Sequence, residues 1–203
     1  MKKRIITLVI LILAAISFGQ NDSVPTYKYS LGVTYLSFLN FGEEATNTHH
    51  YEMHIGYQLT PKDKISLKLA TWKLFAPMGI PLWDTLFLDK REFFPGRLHE
   101  TGIGITYQRI LWKGLFATIE VLPLYKRYLD TNNQLIGKGF KLYTTYHLGY
   151  HIPIFKNRFF IEPQIHGNYW PIDTKAPQSF QEKENKWNNF FIFEPNLYLG
   201  VNF

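Results

Sequence analysis

A chain of 203 residues, 46% hydrophobic and 19% charged, is long enough for one domain with a sizeable core, and its 17% aromatic content is high. It contains no cysteine, which excludes a disulfide framework, a thiolate metal site, a cysteine nucleophile and a lipid-modified cysteine. The formal charge of +6 argues for no nucleic-acid partner: Lys2, Lys3 and Arg4 belong to a distinct leading segment, and setting these three aside from the 22 basic residues leaves 19 against 16 acidic ones.

Residues 1–19 open with Lys2-Lys3-Arg4, run apolar from Ile5 to Phe18 broken by Thr7 and Ser17, and supply small residues at Ala14, Ala15, Ser17 and Gly19. This pattern predicts a cleaved secretory signal peptide over 1–19, followed by a single domain over 20–203. Its apolar stretch of about 14 residues is short for a spanning helix, which needs about 20. No later apolar run approaches that length, so any passage through a membrane must be made by strands.

From Tyr27 onward apolar residues recur at every second position, the period of a strand with two unlike faces. Tyr27, Tyr29, Leu31, Val33 and Tyr35 alternate with Lys28, Ser30, Gly32 and Thr34. Tyr51, Met53, Ile55, Tyr57 and Leu59 then oppose Glu52, His54, Gly56 and Gln58, and a turn at Thr60-Pro61-Lys62-Asp63 leads to Ile65, Leu67 and Leu69 against Ser66, Lys68 and Ala70. A fourth segment sets Ile103, Ile105 and Tyr107 against Glu100, Gly102, Gly104, Thr106 and Gln108; a fifth, beyond Lys113-Gly114, sets Leu115, Ala117, Ile119 and Val121 against Phe116, Thr118 and Glu120. The sixth opposes Phe140, Leu142, Thr144, Tyr146, Leu148 and Tyr150 to Lys141, Tyr143, Thr145, His147, Gly149 and His151. The seventh opposes Phe159, Ile161, Pro163 and Ile165 to Phe160, Glu162, Gln164, His166 and Asn168; the eighth opposes Phe191, Phe193, Pro195, Leu197, Leu199, Val201 and Phe203 to Glu194, Asn196, Tyr198, Gly200 and Asn202.

The connectors alternate in length, with turns of about five residues after segments two, four and six and longer loops at 41–49, 76–98, 129–138 and 171–188. One face of the strands carries nearly all the charge and the other is apolar, which suits a polar lumen inside a lipid-facing wall. The expected fold is therefore all-β: an eight-stranded antiparallel up-and-down transmembrane β-barrel with short periplasmic turns and long external loops. With the leading segment and a last strand ending Tyr198-Leu199-Gly200-Val201-Asn202-Phe203, the chain resembles the small outer-membrane β-barrels of Gram-negative bacteria. The resemblance implies export to the outer membrane, contact with membrane lipid, and an assembly signal at Tyr198 and Phe203 read by the barrel-assembly machinery. It implies no particular task.

Several sets of candidate residues follow. The inward charges Glu52, His54, Lys68, Glu100, Glu120, Lys141, His147, Glu162, His166 and Glu194, joined by Lys28, must pair inside so narrow a barrel, as a register-fixing plug or as an ion path. His166, Asn168 and Glu162 are the catalytic candidates: lipid A deacylases, which the chain resembles in size and strand number, place a serine two residues after a histidine, and here the run reads His166-Gly167-Asn168, without the nucleophilic oxygen. Palmitoyl-transferring barrels are matched only loosely by His99, Asp89 and Ser37. No metal or cofactor is expected, since His147 and His151 stand about 13 Å apart along one strand at about 3.3 Å per residue, and His49-His50 beside Glu43 and Glu44 completes no ligand set. The prolines at Glu162-Pro163 and Glu194-Pro195 predict a bulge or break. The apolar loop 76–98, with Trp83, Phe87, Phe93 and Phe94, and Trp170 and Trp187 around the last loop form a candidate binding surface or lid. The leading expectation is a barrel of structural or binding type whose loops engage an envelope partner or ligand; an envelope-lipid-modifying enzyme and a narrow pore are the alternatives.

Overall fold

The computed structural model describes residues 27–41, 43–81, 84–174 and 176–203. The expected signal peptide and Trp83 lie outside the described residues. Nine strands form one antiparallel sheet: β1 (Tyr29–Thr34), β2 (Tyr51–Gln58), β3 (Asp63–Leu74), β4 (Arg97–Trp112), β5 (Leu115–Leu129), β6 (Leu135–Tyr150), β7 (Ile152–Ile154), β8 (Phe159–Asp173) and β9 (Phe190–Asn202). Strands β1 to β6 pair in sequence, β8 pairs with β6, β7 and β9, and β9 pairs with β1, from Ser30 opposite Asn202 to Thr34 opposite Tyr198, so the sheet closes on itself.

β6 and β7 form one stave of the barrel. Gly149 faces Gln164 and Ile152 faces Ile161 in unbroken register, and between them the pairing lapses at Tyr150 and His151, opposite Pro163 and Glu162. Proline has no N–H to donate to a ladder. The barrel therefore has the eight staves that the alternation predicts.

Period-2 geometry sends successive side chains to opposite faces. Outward go Leu67, Ile103, Ile105, Ile119, Val121, Leu148 and Ile165, all exposed, while residues of the opposite parity line the interior. Aromatic rings mark the strand ends: Tyr29 and Phe203 stack at 6.0 Å on the short-turn side, and Tyr51, Tyr125, Tyr169 and Phe190 stand exposed toward the long loops. Ile105, 59% exposed, lies mid-strand between Leu67 and Val121. Ile105→Arg is expected to destabilise the barrel in phospholipid vesicles by about 2–4 kcal/mol, the cost of an arginine at the bilayer midplane, as read from urea titrations of both variants. An unchanged midpoint would show that this face does not meet lipid.

The inward residues of β5, read in order, sample the interior from the short-turn end upward: Phe116, Thr118, Glu120, Leu122, Leu124, Lys126 and Tyr128, every one buried. Polar and apolar layers thus alternate. Leu122 and Leu124 meet Ala70, Trp72, Tyr143 and Trp170 in an apolar layer above the mid-barrel charges, and Tyr128 and Leu98 meet Phe94 and Phe180 above a second charged layer.

The structure corrects several expectations. The third outer connector is five residues, 130–134, rather than 129–138, because β5 and β6 keep pairing through Arg127–Lys138 and Tyr128–Gly137, where the apolar alternation has already faded. A backbone ladder needs only N–H and C=O groups, so it outlasts the side-chain pattern. The last loop contains a short helix, α1 (Gln178–Glu184), and Trp170 belongs to β8 rather than to that loop. Phe191, expected outward, turns inward: one residue of β8, Gly167, faces two on β9, Ile192 and Phe193, and Phe193 takes φ +63°. This bulge shifts the alternation by one, two residues from Pro195. Lys28 is exposed and joins no interior pair.

Candidate functional site

Glu52, Lys68 and Glu120 stand at inward positions of β2, β3 and β5, and the lumen is narrow enough for them to meet. Lys68 Nζ lies 2.6 Å from Glu120 Oε1 and 3.0 Å from Glu52 Oε2. Tyr198 donates to Glu52 at 2.8 Å, with His54 Nε2 3.0 Å from the same hydroxyl, and Thr106 and Thr145 donate to Glu120 at 3.3 and 3.4 Å. Lys68 is 3% exposed and Glu120 not at all, so each charge is compensated by contact rather than by water. Nearer the short turns Glu162 takes Lys64 at 3.5 Å, His151 at 2.8 Å and Gln108 at 3.0 Å. The space between the two clusters is about 30 Å³, one water's share of liquid volume. Together they set two layers of paired charge inside the barrel.

Above these layers lies a chamber of about 160 Å³. Its floor holds His147, His166, Asn168 and Glu194, its walls Trp72, Tyr143 and Phe191, and its ceiling Phe75, Ala76, Pro77, Met78, Ile80 and Phe87. His166 Nε2 is 2.5 Å from Glu194 Oε2, and Asn168 Nδ2 donates to the same oxygen at 3.0 Å. The His147 ring meets His166 edge-on at 5.1 Å, and both of its nitrogens are buried without a hydrogen-bond partner. These two histidines are direct cross-strand neighbours on β6 and β8.

The ceiling is a lid made from the second and last outer loops. Phe75 packs edge-on against Phe87 and Phe93, at 5.5 and 4.8 Å, with Ile80, Leu86 and Trp187 around them. Phe94 stacks at 4.8 Å on Phe180 of α1, which meets Tyr128 at 5.1 Å. Gly79 allows the loops to touch, since a Cβ there would run into the Asn188 carbonyl and the Trp187 side chain. Trp187 Nε1 donates to Glu92 at 3.3 Å, and Lys183 donates to the Arg91 carbonyl. Beneath the lid Glu100 accepts from Trp72 Nε1 at 2.5 Å and pairs with Lys141 at 2.8 Å; Lys126, fully buried, pairs with Asp173 and lies 3.6 Å from Glu184. Burial holds the Glu184 carboxyl above the usual carboxylate range, against the pull of the two lysines.

A closed ring with a polar lumen, an apolar exterior and loops gathered at one end is now complete. The chain is built as a closed antiparallel β-barrel with an apolar outer wall. No family model matches it, and no curated protein matches it. Among solved structures it is similar to a major outer membrane protein of Thermus thermophilus, at 9% identity over 87% of this chain and 98% of that one, with a TM-score of 0.48. It is also similar to Neisserial surface protein A, at 11% identity over 87% and 94% with a TM-score of 0.40, and to CarO2 of Acinetobacter baumannii, at 11% over 90% and 99% with a TM-score of 0.39. Similarity of this degree says nothing about what the chain does.

Of the sequence-derived candidates, His166 and Asn168 come together, but through Glu194; Glu162 belongs to the lower cluster with Lys64 and His151. Ser37, Asp89 and His99 are each held by a local partner, respectively the Glu52 N–H, the Arg91 guanidinium and Thr71. Tyr198 points into the lumen, while Phe203 is exposed beside Tyr29. Phe87, Phe93, Phe94 and Trp187 are spent on packing within the lid, and Trp170 stacks on Tyr143 inside the barrel. Among the described residues no group of three or more His, Cys, Asp or Glu is placed to hold a metal ion. Sequence reasoning missed Lys64, Lys126, Trp72, Tyr143 and Phe191 as site residues. Parity was the available signal, since Trp72 and Lys126 fall in step with Lys68 and Glu120.

Proposed function

We propose that this is a Gram-negative outer-membrane barrel of the binding type, closed to ion flow, that holds a small ligand with a polar end and an apolar body in the chamber beneath its external loops. The observation that carries the reading is the chamber's position, between a charge-paired plug and an apolar lid, with polar groups below and rings above. A signal peptide over residues 1–19 supplies the export route in this reading, and the last strand ending at Phe203 supplies the contact with the assembly machinery. The loop aromatics favour a ligand over an envelope protein partner, because they are already packed against one another. The enzyme reading is weaker: the floor offers a carboxylate-held histidine but Asn168 where a nucleophile would stand.

The plug distinguishes binding from conduction. The full chain in a planar bilayer is expected to give no step conductance, because ions would have to cross the desolvated Lys68–Glu120–Glu52 cluster. Discrete steps that change size in Glu120→Gln would establish a pore and overturn the proposal.

A further inference from the structure

The chamber's electrostatics point to the class of ligand, an inference that rests on the binding reading above. Lys68 is shared between Glu52 and Glu120. Glu194, on the chamber floor, has no lysine or arginine within ion-pairing distance among the described residues; its partners are His166 and Asn168. The rings of Phe191, Tyr143 and Trp72 line the same chamber. A carboxylate lacking a permanent counter-charge, set among aromatic faces, is the environment that attracts an organic cation, through the carboxylate and through the ring quadrupoles together. His147, only 7% exposed, adds a buried imidazole with no hydrogen-bond partner, able to accept an N–H. An anion entering the chamber would instead meet Glu52 and Glu194, while Lys68, which also lines it, is already shared between two carboxylates.

We infer that the chamber takes a small organic monocation, its ammonium group seated by Glu194 among the aromatic walls and its apolar body under Phe75, Ile80 and Phe87. The volume of about 160 Å³ suits a one-ring molecule, since a cavity of about 150 Å³ holds a benzene. Three probes of nearly equal size separate charge from shape: benzylammonium, benzyl alcohol and benzoate.

The test is isothermal titration of each probe into the full chain in detergent micelles, with protein-free micelles as the blank. Benzylammonium is expected to bind at least about tenfold more tightly than either other probe. Glu194→Gln should abolish that preference while leaving benzyl alcohol binding in place, and Tyr143→Leu should weaken benzylammonium more than the alcohol. The Tyr143 variant keeps the question open to test should Glu194→Gln fail to fold. Equal binding of benzylammonium and benzyl alcohol, or a preference that survives both substitutions, would overturn the cation assignment and leave the chamber as a neutral site. Binding of none of the three would overturn the binding reading as well.

Discussion

Lys68→Ala is expected to cost about 3–5 kcal/mol of stability, the range for removing one partner of a buried ion pair. The lysine sits 2.6 Å from Glu120 and 3.0 Å from Glu52, and its loss leaves both carboxylates in the lumen without a permanent cation, Glu52 keeping only the His50 imidazole at 3.1 Å. Tyr198, Thr106 and Thr145 still donate to them, but neutral donors do not balance two charges. Urea titration of the barrel folded in phospholipid vesicles reads the change. The double variant Lys68→Met with Glu120→Gln should recover much of the loss, because it removes one of the two orphaned charges and leaves the lumen filled. A loss below about 1 kcal/mol, the level of a surface pair, would mean that water reaches the cluster and that the plug is open.

Phe180→Ala is expected to release the lid without unfolding the barrel. Phe180 is fully buried between Phe94 at 4.8 Å and Tyr128 at 5.1 Å, and a buried Phe→Ala substitution costs about 3–5 kcal/mol. The helix that carries it has seven residues, far below the length that stands alone in water. The cost therefore falls on loop docking, while the staves keep their ladders. Limited trypsin digestion should show new cuts at Lys90, Arg91, Lys183 and Lys186, with the urea midpoint in vesicles unchanged. Loops that stay resistant would show that the lid is held by its polar contacts, Trp187 to Glu92 and Lys183 to Arg91, rather than by the ring cluster.

Local pattern in the chain determined the number of staves, the lipid-facing and lumen-facing sets, and the end at which the loops gather. These properties depend on one strand at a time: a period of 2 assigns each residue to a face, and turn residues such as Lys113-Gly114, at φ +43° and +92°, declare their own geometry. The charges of β2, β3 and β5 were legible as inward for the same reason. Neighbourhood across the barrel was not. That His147 meets His166 rather than His151, that Glu194 rather than Glu162 joins Asn168, and that Lys126 reaches Glu184 all depend on strand register and closure, which bring together residues as far apart in sequence as Glu52 and Tyr198. The bulge at Ile192 and Phe193 was equally hidden, because a single inserted residue changes the facing of Phe191 without changing the composition of β9. The lid was decided last, since apolar loops acquire a resting place only once the barrel mouth offers Tyr128, Leu98 and Phe75 for them to cover.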